Sequence, residues 1–299
     1  MRSVAMSAVA LTTAIALVVA WTGKGGARHA AGASVRGRSA ERSASAAASA
    51  RADAAKSPSR EAGREAIESP RVSSLVALGR PIYCAGAKGN EVALTFDDGP
   101  GTYTKLAIAK LRKHRVKATF FAVGRNIELL PQAIREEREL GSVGDHTYTH
   151  PLLTALPAAQ AESEIVRTQT ALERASGRPV FLFRPPYGGR DATIDAIARR
   201  HGLLEIMWTV DSRDSLGADY AQIERNVIDS LRPGAIVLMH ENHGQTIRAL
   251  PSIFAALRRK RLRAVSVPRL LSDDPPSPAR VRAGSRGCGV GASAGRGGG

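Results

Sequence analysis

"EVALTFDDGP", residues 91–100, runs from an apolar, β-prone stretch into two adjacent carboxylates and then a Gly-Pro turn. A short apolar run bounded by turn residues reads as a buried strand. The turn accounts for Gly99, Pro100 and one aspartate. It does not account for the second, because neighbouring carboxylates each raise the cost of ionising the other. Some other part of the chain has to meet them there.

Outward from this stretch the pattern repeats. "KATFFAV", "GSVGDHT", "VFLFRPP", "EIMWTV", "AIVLMH" and "RAVSV" are further strand candidates. Helical patterns separate them over 103–114, 127–140, 157–176, 192–201, 220–231 and 246–259. Strict alternation of strand and helix predicts an α/β fold, a parallel sheet covered by helices. An open doubly wound sheet and a closed barrel both satisfy the pattern. Either places its working groups at the carboxyl ends of the strands.

The flanks differ in composition. Residues 1–23 carry one Arg and then an apolar run from Val4 to Trp21, which reads as an export signal or a membrane anchor. Residues 24–74 are rich in Ala, Ser, Arg and Gly and read as a disordered linker, and 273–299 as a disordered tail. The folded domain is expected over 75–272. Net charge is +16, yet Lys and Arg exceed Asp and Glu by 6 in residues 1–72 and by 2 in 273–299, half of the total. With aromatics at 4%, this argues against a nucleic-acid-binding domain, which would concentrate basic and aromatic residues on its folded part. The two cysteines, Cys84 and Cys288, are too few for a cysteine-built zinc site. A disulfide between them is compatible with an oxidising compartment, although the Gly-rich tail gives Cys288 no fixed geometry.

The strand ends carry Asp97 and Asp98, Gly124, His146 and His150, Arg184 and Tyr187, Asp211 and Asp214, and His240. Random surface charge would fall at both edges of the sheet; this gathers at one. In "DHTYTH" the two histidines are four apart, a helical metal-binding spacing. Pro151 and the β-branched Thr147 and Thr149 predict a strand-to-loop turn instead. Two imidazoles and one aspartate make a three-ligand set with a position left for water, the layout of a catalytic metal. The second aspartate is then free to act as base. Arg184 near that base would keep it ionised. His240 ends a buried strand, as a core histidine or as a proton donor.

In their order, "TFDDGP", "HTYTH", "RPPYG", "DSRDS" and "LMH" resemble the five motifs of the polysaccharide deacetylases of carbohydrate esterase family 4, the NodB-homology domain, over roughly residues 90–272. The resemblance implies a distorted, incomplete (β/α) barrel of about seven parallel strands. It implies removal of acetyl groups from a sugar polymer by metal-activated water. On it, Asp97 is the general base, and Asp98, His146 and His150 are the metal ligands. Arg184 positions the base, and His240 is the general acid tuned by Asp214. The backbone at Tyr187 donates to the oxyanion, and Leu238 walls the acetyl-methyl pocket. Zinc is the expected metal, with cobalt or nickel able to fit. Two positions depart from the family pattern: Ser215 stands where a Trp is usual, and Asp145 where an Asn is common. Trp208 is expected in the core and Asp211 in a supporting role.

The function this implies is N-deacetylation of a peptidoglycan or chitin-like glycan by an exported monomer. An O-acetyl esterase acting on xylan is the alternative, and a non-catalytic wall-binding protein on the same scaffold is a second. No ligand, base or acid is missing, which favours an enzyme.

Overall fold

The structure, a computed structural model, describes residues 69–289. The expected export or anchor segment, nearly all of the linker and the last ten residues lie outside that range. In chain order the elements are α1 (Pro70–Leu78), β1 (Glu91–Gly99), α2 (Thr104–His114), β2 (Ala118–Ala122), α3 (Gly124–Leu129), α4 (Pro131–Leu140) and β3 (Gly141–Asp145). They continue with α5 (Ala158–Ser176), β4 (Leu182–Phe183), α6 (Ala192–Arg200), β5 (Leu204–Glu205), β6 (Val210–Asp211), α7 (Tyr220–Ser230) and β7 (Ile236–His240). Last come α8 (Gly244–Arg259), β8 (Arg263–Val265), α9 (Val267–Asp273) and α10 (Pro278–Ala283).

The strands pair in the order β5-β4-β3-β2-β1-β7-β6, every ladder parallel, with β8 paired to the start of β1. β5 and β6 are the two ends of that order, so the sheet curls into a barrel that does not close. β1 is its centre. Side chains alternate along a strand, and β1 divides accordingly. Leu94 and Phe96 pack outward with Ile108 and Leu111 of α2 and Ile253 and Phe254 of α8. Ala93 faces inward with Phe121, Leu182, Leu204 and Ile236. Burial on both faces is why β1 reads as a nearly unbroken apolar run.

The floor of the barrel, at the amino ends of the strands, is sealed by α1 and α9. Val72 and Leu75 of α1 and Val267, Leu270 and Leu271 of α9 join the interior cluster, with Val281 of α10 beside them. This corrects two expected boundaries. The linker does not run to residue 74, because α1 belongs to the folded unit. Residues 274–289 are not a disordered tail: α10 and a 3₁₀ turn over Gly284–Cys288 dock on the floor. Pro276 and Val281 are the only apolar side chains buried there among the described residues. The rest of the anchorage is polar and covalent, which composition does not reveal. Arg280 Nη1 donates to the Ala85 carbonyl at 2.7 Å, Asp274 accepts from the Lys88 amide at 2.7 Å, and Cys288 is disulfide-bonded to Cys84.

Two further elements differ from expectation. The helix expected over 127–140 is two helices, broken at Leu130 (φ −133°, ψ 53°) because Pro131 bars its predecessor from helical angles. "EIMWTV" forms two short strands, β5 and β6, rather than one. The cause lies in the site.

The disulfide closes a loop spanning 204 residues. Cys288→Ser is expected to lower unfolding free energy by about 2–4 kcal/mol, read by urea melts. A reductant should reproduce the loss in the unaltered chain and add nothing in the variant.

Candidate active site and metal centre

A regular strand would send Asp97 and Asp98 to opposite faces. The β1–β2 register slips between Asp97 and Gly99, and Asp98 takes φ +71°. This bulge turns both carboxylates to one mouth: Asp97 Oδ2 lies 3.7 Å and Asp98 Oδ1 3.5 Å from the same atom, His146 Nε2. The left-handed angle costs an aspartate about 1 kcal/mol, and neighbours hold it. Asn126 Nδ2 donates to the Asp98 carbonyl at 3.0 Å. A Cβ on Gly99 would overlap the buried Glu241 carboxyl, which bonds the Thr104 hydroxyl; that hydroxyl accepts from the Gly101 amide at 2.7 Å. Glycine at 99 is therefore a packing requirement.

The two histidines sit on the turn expected for them, with Thr147 at φ +65° and His150 at φ +64°. The amides of Gly124 and Arg125 grip that turn at the Thr147 and Tyr148 carbonyls. Inside it, Asp145 accepts from the Thr147 amide at 2.8 Å, and burial pushes the Asp145 carboxyl well above its usual range. His146 Nδ1–H donates to the Arg184 carbonyl at 2.7 Å, so its Nε2 presents a lone pair. His150 Nε2 lies 3.2 Å from Asp98 Oδ1. Burial works to raise the Asp98 carboxyl, but the facing imidazoles more than offset it and hold it well below the usual range. Asp98 Oδ1 is nonetheless buried without a hydrogen-bond partner. The ligand atoms of Asp98, His146 and His150 all lie within 4.8 Å of one another. Two imidazole nitrogens and an orphaned carboxylate oxygen, so placed, fit a divalent cation of the zinc type.

Asp97 is 2% exposed and meets Arg184, which is fully buried. Arg184 Nη1 donates to Asp97 Oδ1 and to Thr95 Oγ1, both at 2.7 Å. Its Nε donates to the Ile206 carbonyl at 2.9 Å and its Nη2 to the Met207 carbonyl at 3.2 Å. Those carbonyls turn inward between β5 and β6, which is why that strand is broken. The guanidinium also lies 4.2 Å above the Phe121 ring. Trp208, expected in the core, is partly buried 5.6 Å from it.

Opposite, His240 is level with Asp97 in the β1–β7 register. Asp214 Oδ1 accepts from His240 Nδ1–H at 2.7 Å, while Oδ2 accepts from the His240 amide at 2.7 Å and the Thr246 hydroxyl at 2.6 Å. Burial would lower His240, but the Asp214 bond and charge, with those of Asp97 and Asp98, lift it to about 9. Burial likewise opposes ionisation of Asp214, and His240 still draws it down to about 2. The pair is an imidazolium held by a carboxylate at neutral pH. Leu238, two residues before His240 and on the same face, is buried. Tyr187 lies on a 3₁₀ turn at φ +60°, its hydroxyl 3.2 Å from His150 Nδ1. Asp211 accepts from the Arg213 amide at 2.7 Å and holds the turn into Asp214.

Sequence reasoning missed Asn126, Thr95, Glu241 and Asn242, whose Nδ2 reaches Asp98 Oδ2 at 3.4 Å. Thr95 stands inside "TFDDGP" but reads as an ordinary strand residue, and the other three are single polar residues with no spacing of their own to mark them.

Residues 85–206 match the polysaccharide deacetylase family. A peptidoglycan-N-acetylglucosamine deacetylase of Bacillus cereus is 35% identical over 184 residues, 60% of this chain and 67% of that one. The chain belongs to the polysaccharide deacetylase family. A chitooligosaccharide deacetylase of a Bradyrhizobium is 33% identical, covering 60% of this chain and 90% of its own length. Among solved structures, a family 4 carbohydrate esterase from Streptomyces lividans, in complex with acetate, is 39% identical with a TM-score of 0.56, covering 60% of this chain and 92% of that one. Against several further curated relatives the chain spans less than half of their length.

The family segment holds Asp97, Asp98, His146, His150, Arg184 and Tyr187, while Asp214, Leu238 and His240 lie beyond it. At Ser215, expected to depart from the family pattern, the amide donates to Asp214 Oδ1 at 2.9 Å, and Leu216 beside it is exposed.

Arg184→Met leaves the Asp97 charge buried without its partner. It is expected to cost about 3–5 kcal/mol in urea melts and at least about 100-fold in kcat/KM. The proton on His240 is present below about 9 and lost as pH rises through it. A pH profile of kcat/KM should therefore fall on that alkaline side. Asp214→Asn removes the hydrogen bond and charge that do most to raise His240, leaving burial to lower it against the charges of Asp97 and Asp98. The falling limb should move to lower pH than in the unaltered protein.

Proposed function

We propose that this deacetylase removes N-acetyl groups from a glycan of the peptidoglycan or chitin type by metal-dependent hydrolysis. The observation that carries the reading is one mouth with a cation-ready cluster, Asp97 with Arg184 on one side and His240 with Asp214 on the other. The peptidoglycan and chitooligosaccharide deacetylases among its relatives support this substrate class.

Asp98, His146 and His150 would hold the ion. Zinc suits two imidazoles and a carboxylate, and cobalt or nickel would fit the same set. When bound, the ion supplies Lewis acidity toward the acetyl carbonyl and the attacking water. Asp97 takes the water's proton on Oδ2, since Oδ1 is engaged by Arg184. Arg184 holds that carboxylate in place and aims it. The Tyr187 amide donates to the carbonyl oxygen as charge builds on it. Leu238 walls the acetyl methyl. As the carbon–nitrogen bond breaks, His240 gives its Nε2 proton to the leaving nitrogen, and Asp214 stabilises the imidazolium until then. Acetate and a free amine result.

A second reading, hydrolysis of an O-acetyl ester such as that of xylan, is supported by the Streptomyces carbohydrate esterase. Export to the cell envelope is supported by the Cys84–Cys288 disulfide, a bond that persists in oxidising compartments.

Acetate release from peptidoglycan, chitooligosaccharide and acetylated xylan, with and without a chelator, tests these readings together. Chelator-sensitive release is expected from an N-acetylated glycan, falling about 10²–10⁴-fold in Asp97→Asn and in His240→Ala. Release from acetylated xylan alone would favour the esterase. No acetate from any of the three would overturn the enzymatic reading.

A further inference from the structure

We propose that the side chain of Tyr187 is a positioning residue for the metal centre, acting through its phenol oxygen on Nδ1 of His150. The inference rests on the metal reading above. It is separate from the role given to the Tyr187 backbone amide.

Each imidazole of the cluster has one nitrogen toward Asp98 and one away from it. For His146 the outer nitrogen is held by a peptide carbonyl at 2.7 Å within a buried site. For His150 the outer nitrogen has Tyr187 Oη at 3.2 Å, with the rings edge to face at 72° and 4.8 Å between centroids. A histidine bound through Nε2 carries its proton on Nδ1. An acceptor at Nδ1 selects that tautomer, fixes the ring plane and makes the imidazole a better donor to the metal. The phenol oxygen is placed to be that acceptor.

The turn that delivers the phenol is rigid. Pro185 and Pro186 precede Tyr187, whose left-handed backbone (φ +60°) is uncommon for an aromatic residue. Gly188 follows with φ +66°, and a Cβ there would press on Trp208 and Met207. The prolines fix the backbone that leads into Tyr187, and the phenol lies over His150 although Tyr187 is 68% exposed. That exposure is itself informative. A tyrosine held in a strained backbone with most of its ring in solvent gains little from burial, and its defined contact is with the ligand.

The test measures zinc affinity of the full chain by competition with a chromophoric chelator, for the unaltered protein, Tyr187→Phe and Tyr187→Leu. Both variants lose the phenol, and both are expected to bind zinc about 10-fold more weakly, the lower end for loss of a ligand's outer partner. The visible spectrum of the cobalt-loaded Tyr187→Phe protein should shift, since it reports ligand geometry, while far-UV circular dichroism stays unchanged. Wild-type zinc affinity in Tyr187→Phe overturns the proposal, including the case where only Tyr187→Leu is weakened, which would assign the effect to the ring. If the unaltered protein binds neither zinc, cobalt nor nickel, the ligand set itself fails and this inference falls with it. That outcome is distinct from equal binding by wild type and variant.

Discussion

A guanidinium with no access to water is costly to leave with unmet donors, and in this protein four of the five on Arg184 are satisfied by parts of the barrel distant in sequence. Its donors go to Asp97, Thr95 and the carbonyls of Ile206 and Met207. Two of those carbonyls are taken from the ladder that would otherwise carry a strand through residues 204–211. Residues 206–209, which supply them, carry the chain from its pairing with β4 in β5 to its pairing with β7 in β6, so Arg184 is seated where the two edges of the sheet meet along one segment. Replacing one member of such a buried pair strands the other, which is far costlier than a surface ion pair.

The same logic resolves the crowding of negative charge at the end of β1. Asp97 and Asp98 point to one place because a bulge overrides the strand's alternation, and each is compensated from a different direction. Arg184 meets the first from within the barrel. The two imidazoles meet the second from the turn after β3, leaving one buried oxygen without a partner. A third carboxylate, Asp214, is spent on His240, so a carboxylate paired to a buried guanidinium faces a protonated imidazole across one mouth.

What could be read from the sequence follows from the range of the signals. Strand and helix alternate over short windows, so the order of elements and the edge carrying the site were legible. Asp98, His146 and His150 were legible because their motifs are local and chemically distinctive. The bulge at Asp98 was not, since "DDGP" is equally consistent with an ordinary turn. Nor were Asn126 and Asn242, single amides reaching in from separate loops. "EIMWTV" has the composition of a strand and is interrupted by a demand from Arg184, distant in sequence. The docking of residues 274–289 was hidden for a related reason. Their attachment depends on a disulfide and on backbone hydrogen bonds rather than on apolar content, which is what a composition argument weighs.

The floor of the barrel has a consequence for how the enzyme can be deployed. Ser69, where the described chain starts, hydrogen-bonds Ser272 at the end of α9, and Cys288 is bonded to Cys84 nearby on the same floor. Both ends of the folded unit thus leave from the pole opposite the catalytic mouth. Within the described residues, neither end of the folded unit crowds the mouth, so the fold leaves the strand ends of the sheet to the site alone.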